Sequence, residues 1–121
     1  MTIKKTIIIS AFALFISSFS FAQARIEAKD AAKHLNEDVT ICDKVYNGKF
    51  FASSSLTLLN MGGNHPNELL TLVIRGDDKK KFKSAPDEYF RGKNVCVTGK
   101  VIDFKGKPEI IITSPEQIKV Q

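Results

Sequence analysis

A chain of 121 residues is the length of one domain, which argues against a multidomain architecture. Its formal net charge of +5 is mildly basic and favours an anionic partner. The value lies within the range of an ordinary soluble surface, so charge alone selects no ligand.

The chain opens on Lys4 and Lys5, and Ile7 to Phe21 then run without a charge. Ser20-Phe21-Ala22 places small residues at the two positions a signal peptidase reads. This is the layout of a cleavable secretory signal over residues 1–22. A membrane anchor is the other reading, but the apolar run is shorter than the roughly 20 residues a spanning helix needs. No cysteine follows the run to carry a lipid. Cleavage after Ala22, or after Ala24, removes two lysines and lowers the charge from +5 by two. It leaves one domain over residues 23–121 in the periplasm or outside the cell, with no membrane attachment. A domain this small buries a modest core and benefits from a covalent staple. Cys42 and Cys96 are the only cysteines, and an even count in an oxidising compartment favours a disulfide, which contributes about 4 kcal/mol at the upper end.

Ile26 to Leu35 read as a short helix with Ile26, Ala31, Ala32 and Leu35 on one face. Val39 to Val45 alternates, with Val39, Ile41 and Val45 on one side and Thr40, Cys42 and Lys44 on the other: a half-buried strand. Tyr46-Asn47-Gly48-Lys49 is a turn or bulge signal. Leu56 to Leu59 is a second strand, Asn60 to Asn67 a loop by composition, and Leu69 to Arg75 a third strand. Between Lys79 and Phe90 Pro86 divides a polar stretch into one or two helical turns. Asn94 to Phe104 is the fourth strand and Glu109 to Thr113 the fifth, a β-hairpin joined through Lys105-Gly106-Lys107-Pro108. Ile118 and Val120 are expected to pack back on the domain.

Three strands, a helical interruption and two more strands give an all-β domain, a small five-stranded Greek-key barrel in the order of the OB-fold with an added N-terminal helix. An open β-sandwich and an SH3-like barrel are the alternatives. In the fourth strand Val95, Val97 and Val101 share a face, and Cys96 lies opposite with Thr98 and Lys100. Cys42 likewise lies opposite the Val/Ile row. In an OB barrel these two strands are neighbours, which brings both thiols to one face and within bridging distance.

The stretches V-T-I-C-D-K-V (39–45), L-L-N-M-G-G-N-H-P-N (58–67), L-T-L-V-I-R-G (70–76), G-K-N-V-C-V-T-G-K-V (92–101) and G-K-P-E-I-I-I-T-S-P-E-Q-I (106–118) together resemble bacterial exported OB-fold nucleic-acid-binding domains. Such domains stand alone behind a signal peptide or beside a nuclease. The more specific parts are Asn60, Gly62, Pro66 and Asn67 in the loop, and the V-C-V-T-G-K-V strand. The resemblance implies nucleic-acid binding, and single-stranded nucleic acid is the first candidate ligand. Related domains often carry Gly where this chain has Asp43, which sets an acid near a basic face.

Barrels that bind single strands combine basic grooves with aromatic platforms. Lys44, Tyr46, Lys49, Phe50 and Phe51 around the first turn, Arg75 at the end of the third strand, and Lys105 and Lys107 in the hairpin turn are the candidates. Of the adjacent Phe50 and Phe51, alternation directs one into the core and leaves the other to bind. Lys79-Lys80-Lys81 and Lys83 read as a solvated helix face before a binding patch. Neither His34 nor His65 has a metal-ligand spacing, no nucleophile motif appears, and Asp77, Asp78, Asp87 and Glu88 read as helix-start acids. The expectation is a binding module, not an enzyme, with no cofactor. The other function readings are a periplasmic protein- or glycan-binding adaptor and an accessory to an exported nuclease.

Overall fold

The computed structural model describes residues 24–121, so the signal read over residues 1–22 lies outside the described residues. Seven strands and four short helical turns make up the fold. β1 (Arg25–Ile26) leads into a 3₁₀ turn (Ala28–Lys33), β2 (Asp38–Phe51), β3 (Leu56–Met61) and β4 (Leu70–Ile74). Two one-turn helices, α1 (Gly76–Lys79) and α2 (Pro86–Tyr89), precede β5 (Asn94–Phe104) and β6 (Lys107–Ile111). A second 3₁₀ turn (Pro115–Gln117) hands the chain to β7 (Ile118–Val120).

β2, β3, β4, β6 and β5 form a ring that β2–β5 pairing closes. The β4–β6 contact is parallel and the other four are antiparallel. β1 and β7 lie outside the ring, β1 against β2 and β7 against β5. The inward rows follow the period-two pattern of the sequence: Val39, Ile41 and Val45 from β2, Leu59 and Met61 from β3, and Val95, Val97 and Val101 from β5 are all buried.

β2 is longer than its apolar pattern. It runs through the expected turn at 46–49, and that signal is instead a bulge, a register shift between Val45 and Asn47. The physical reason is that β2 serves two partners. Its first half pairs with β5 and its second half with β3, so the strand must bend between them. Gly48 permits the close approach of α2 at that bend: a Cβ there would sit 2.6 Å from the Asp87 carbonyl oxygen. β3 also overruns its pattern, taking Asn60 and Met61 out of the expected loop.

β5 spans Asn94–Phe104 as read from its alternation. The turn after it is only Lys105-Gly106, both in the left-handed region (φ 51° and 83°). This is the two-residue hairpin geometry that matches strand twist. It starts β6 at Lys107, two residues before the expected Glu109.

The expected N-terminal helix is a shorter 3₁₀ turn. Ala28 and Ala31 are buried, Leu35 is exposed, and Asp43 Oδ2 accepts the Ala28 N–H at 3.0 Å. Asp43 therefore anchors this turn, and no binding face holds it. At the C-terminus Ile118 is buried as expected, but Val120, one residue from the end of the chain, is exposed. Cys42 and Cys96 are register partners across β2 and β5 and form a disulfide, with Cα atoms 4.0 Å apart.

Candidate functional site

The outer side of β2, β3, β4 and β6 carries a concave surface of about 640 Å³. Alternation in β2 turns Asn47, Lys49 and Phe51 outward onto it. Asn60 from β3, Thr71 from β4 and Glu109 from β6 complete a polar floor, and the Asn60 amide donates to Asn47 Oδ1 at 2.7 Å. Two phenylalanines supply its aromatic surface. Phe51 is 37% exposed at the end of β2, and Phe104 is 52% exposed where β5 enters the hairpin. Lys49 Nζ lies 4.9 Å from the Phe51 ring centre, and Lys105 Nζ lies 5.3 Å from that of Phe104.

Glu68, from the β3–β4 loop, sits under one edge with its side chain 6% exposed. Its Oε1 lies 3.1 Å from His65 Nδ1 and 3.5 Å from Lys107 Nζ. Burial pushes this carboxyl up, but a backbone N–H, the His65 ring and Lys107 outweigh it and hold the group below its ordinary range. Glu109 has burial alone acting on it and is pushed up. Lys49 and Lys107 thus face two carboxylates, and the floor is close to neutral.

A second groove of about 690 Å³ lies on the other side of β2, between its end and α1 and α2. Phe50 and Arg75 belong to it. The eight sequence candidates therefore do not form one surface. Lys49, Phe51 and Lys107 meet on the concave face, with Lys105 on its rim beside Phe104. Phe50 and Arg75 line the second groove. Lys44 and Tyr46 pair with each other at the bulge, Lys44 Nζ 5.0 Å from the ring centre, and line neither. The expectation that Phe50 or Phe51 is core does not hold, since both are 37% exposed. They do point to opposite sides of β2, but the strand end projects beyond the ring, where Lys79 lies over Phe50 and Lys49 near Phe51 and neither ring enters the core.

Sequence reasoning passed over Phe104, Glu68 and Glu109. Phe104 carried a signal, an aromatic at a hairpin mouth. Glu68 and Glu109 carried none, because only the parallel β4–β6 pairing sets the Glu109 position beside Thr71.

No protein-family model and no curated protein matches the sequence. Solved structures do. A putative aspartyl-tRNA synthetase from Leishmania major Friedlin superposes with a TM-score of 0.53 at 10% identity, over 86% of this chain and 22% of that one. Asparaginyl-tRNA synthetase from Pyrococcus horikoshii gives 0.53 at 14% identity, over 78% of this chain and 22% of that one. The fold is an OB-fold. This chain spans about a fifth of either synthetase, and the likeness at such identity is one of fold. The concave surface spans the first, second, third and fifth strands of the OB ring and reaches the hairpin of its last two.

Proposed function

We propose that this protein is an exported binding module that takes single-stranded nucleic acid on the concave OB face. The observation that carries the reading is the pair of exposed rings, Phe51 and Phe104, placed across a hydrogen-bonding floor with Lys49, Lys105 and Lys107 around it. Bases stack on such rings without regard to sequence, lysines meet phosphates, and Asn47, Asn60 and Thr71 offer donors and acceptors to base edges. The two solved structures named above are tRNA synthetases, which supports the same ligand class. The signal-like start and the Cys42–Cys96 disulfide support export into an oxidising compartment. Binding rather than catalysis is part of the proposal, with an exported nuclease or another periplasmic protein as the module's associate.

One observation favours a second reading, a protein- or glycan-binding adaptor. Glu68 and Glu109 offset the lysines, and a neutral, hydrogen-bonding, aromatic floor also suits sugar hydroxyls or a polar peptide.

The test is a titration of the oxidised protein, Gln23 to Gln121, against a labelled single-stranded oligonucleotide at two salt concentrations. Affinity is expected to fall with salt, with a log–log slope of about −0.7 per phosphate neutralised. Phe51→Ala should cost about 1–3 kcal/mol of binding. Glu109→Gln should tighten binding, because it removes a negative charge from the face; an adaptor that uses this carboxylate as an acceptor would be weakened instead. No binding at low salt would remove the nucleic-acid reading.

A further inference from the structure

The second groove is the more basic of the two surfaces. Arg75, Lys79, Lys80 and Lys83 line it against one carboxylate, Asp77. Lys80 Nζ is 3.9 Å from Asp77 and both side chains are exposed, so that pair is weak. Arg75 and Lys83 have no ion pair among the described residues. The fourth lysine of this run, Lys81, is engaged elsewhere, donating to Asp78 Oδ1 and the Thr113 carbonyl at 2.9 Å each. Lys79 Nζ lies 3.4 Å from the Phe50 ring centre and covers that ring. The groove therefore offers cations over an apolar wall of Phe50, Phe82 and Pro86, with the Phe50 ring taken by Lys79.

Phe50 and Phe51 are consecutive, so the two surfaces meet at the end of β2, on either side of the turn into β3. We infer that the groove is a second, sequence-independent subsite, in which Arg75, Lys79 and Lys83 hold the phosphates of a single strand that leaves the concave face past Phe51 and rounds the end of β2. This rests on the function proposed above and adds a division of labour: the concave face takes bases, the groove takes backbone. It also places the neutral floor beside a compensating charge, so that the affinity of long strands does not depend on the floor's own potential.

The experiment compares oligonucleotides of about 4 and about 12 nucleotides, both within the roughly 4–16 that one OB-fold covers. Wild type, Phe51→Ala and the double variant Arg75→Glu/Lys83→Glu are titrated as oxidised protein across a salt series. Both charge reversals are at exposed positions, and circular dichroism and thermal melting check the fold; Arg75→Ala/Lys83→Ala replaces the pair if the melt falls. The double variant should lose at least tenfold in affinity for the long strand, with a salt slope shallower by about 1.4, the value for two phosphates. Its affinity for the short strand should be unchanged. Equal loss at both lengths would mean a general field effect and overturn the subsite, as would no loss at either. If Phe51→Ala weakens the short strand while the double variant binds the long one normally, the concave-face reading stands and the groove fails. If wild type binds neither length, both fail.

Discussion

Glu68 and Glu109 lie on the same face and are biased in opposite directions. Glu68 is held below the ordinary carboxylate range, burial being outweighed by its backbone bond, His65 and Lys107. A group with a lowered folded pKa contributes stability above its unfolded pKa and loses it as pH falls through the folded one. Glu109 is pushed up by burial, so the folded protein prefers it protonated. Its ionisation opposes folding, and that penalty appears as pH rises through the folded pKa. Thermal melting from pH 3 to pH 7 should therefore separate two variants: Glu109→Gln is expected to melt above wild type at neutral pH and Glu68→Gln below it. Both differences should shrink in acid, Glu109's first. A Glu109→Gln variant less stable than wild type at pH 7 would show that its carboxylate is gaining a favourable partner. Asp43 also takes its role from its partner. An acid in a strand reads as an intruder until its partner is seen, and here it caps the turn at Ala28.

Among the elements, the β5–β6 hairpin holds an unforced strain. Lys105 sits at φ 51°, where a residue with a Cβ is disfavoured, while Gly106 beside it has no such cost. Asn-Gly is the preferred pair for this turn. Lys105→Asn is expected to stabilise the protein by about 0.5–1 kcal/mol in urea denaturation. It also removes one rim cation, so the salt slope of oligonucleotide binding should fall by about 0.7 if Lys105 meets a phosphate. Unchanged slope with raised stability would assign Lys105 to the turn alone. β2 shows why element ends are harder to read than element existence. Its apolar alternation stops at Val45, yet pairing with β3 carries it to Phe51, because backbone hydrogen bonds to a neighbouring strand do not depend on an apolar side-chain pattern.

For the molecule as a whole, the disulfide joins the two strands that each serve both halves of the ring. Cys42 and Cys96 are 54 residues apart, and closing that loop contributes up to about 4 kcal/mol through the unfolded state. The double variant Cys42→Ser/Cys96→Ser should lose about 2–4 kcal/mol in denaturant, with reduced wild type matching it. A loss under 1 kcal/mol would mean that the ring holds its β2–β5 seam without the bridge.

The strand rows and the pairing of the cysteines are legible in the residues alone. Val95, Val97 and Val101 alternate with Cys96 and Thr98, so the inner and outer faces of β5 follow from the pleat alone, and two cysteines leave one intramolecular bridge. Which outward residues share a surface depends on how the strands assemble. Alternation says that Phe50 and Phe51 oppose each other, but not that both stay out of the core, since that depends on how far β2 projects past its neighbours. It cannot set Phe104 opposite Phe51, or Arg75 with Lys83, because those meetings depend on ring closure between strands far apart in the chain. Periodicity is a property of one strand; a site is a property of several, and registers formed across a closed ring bring it together.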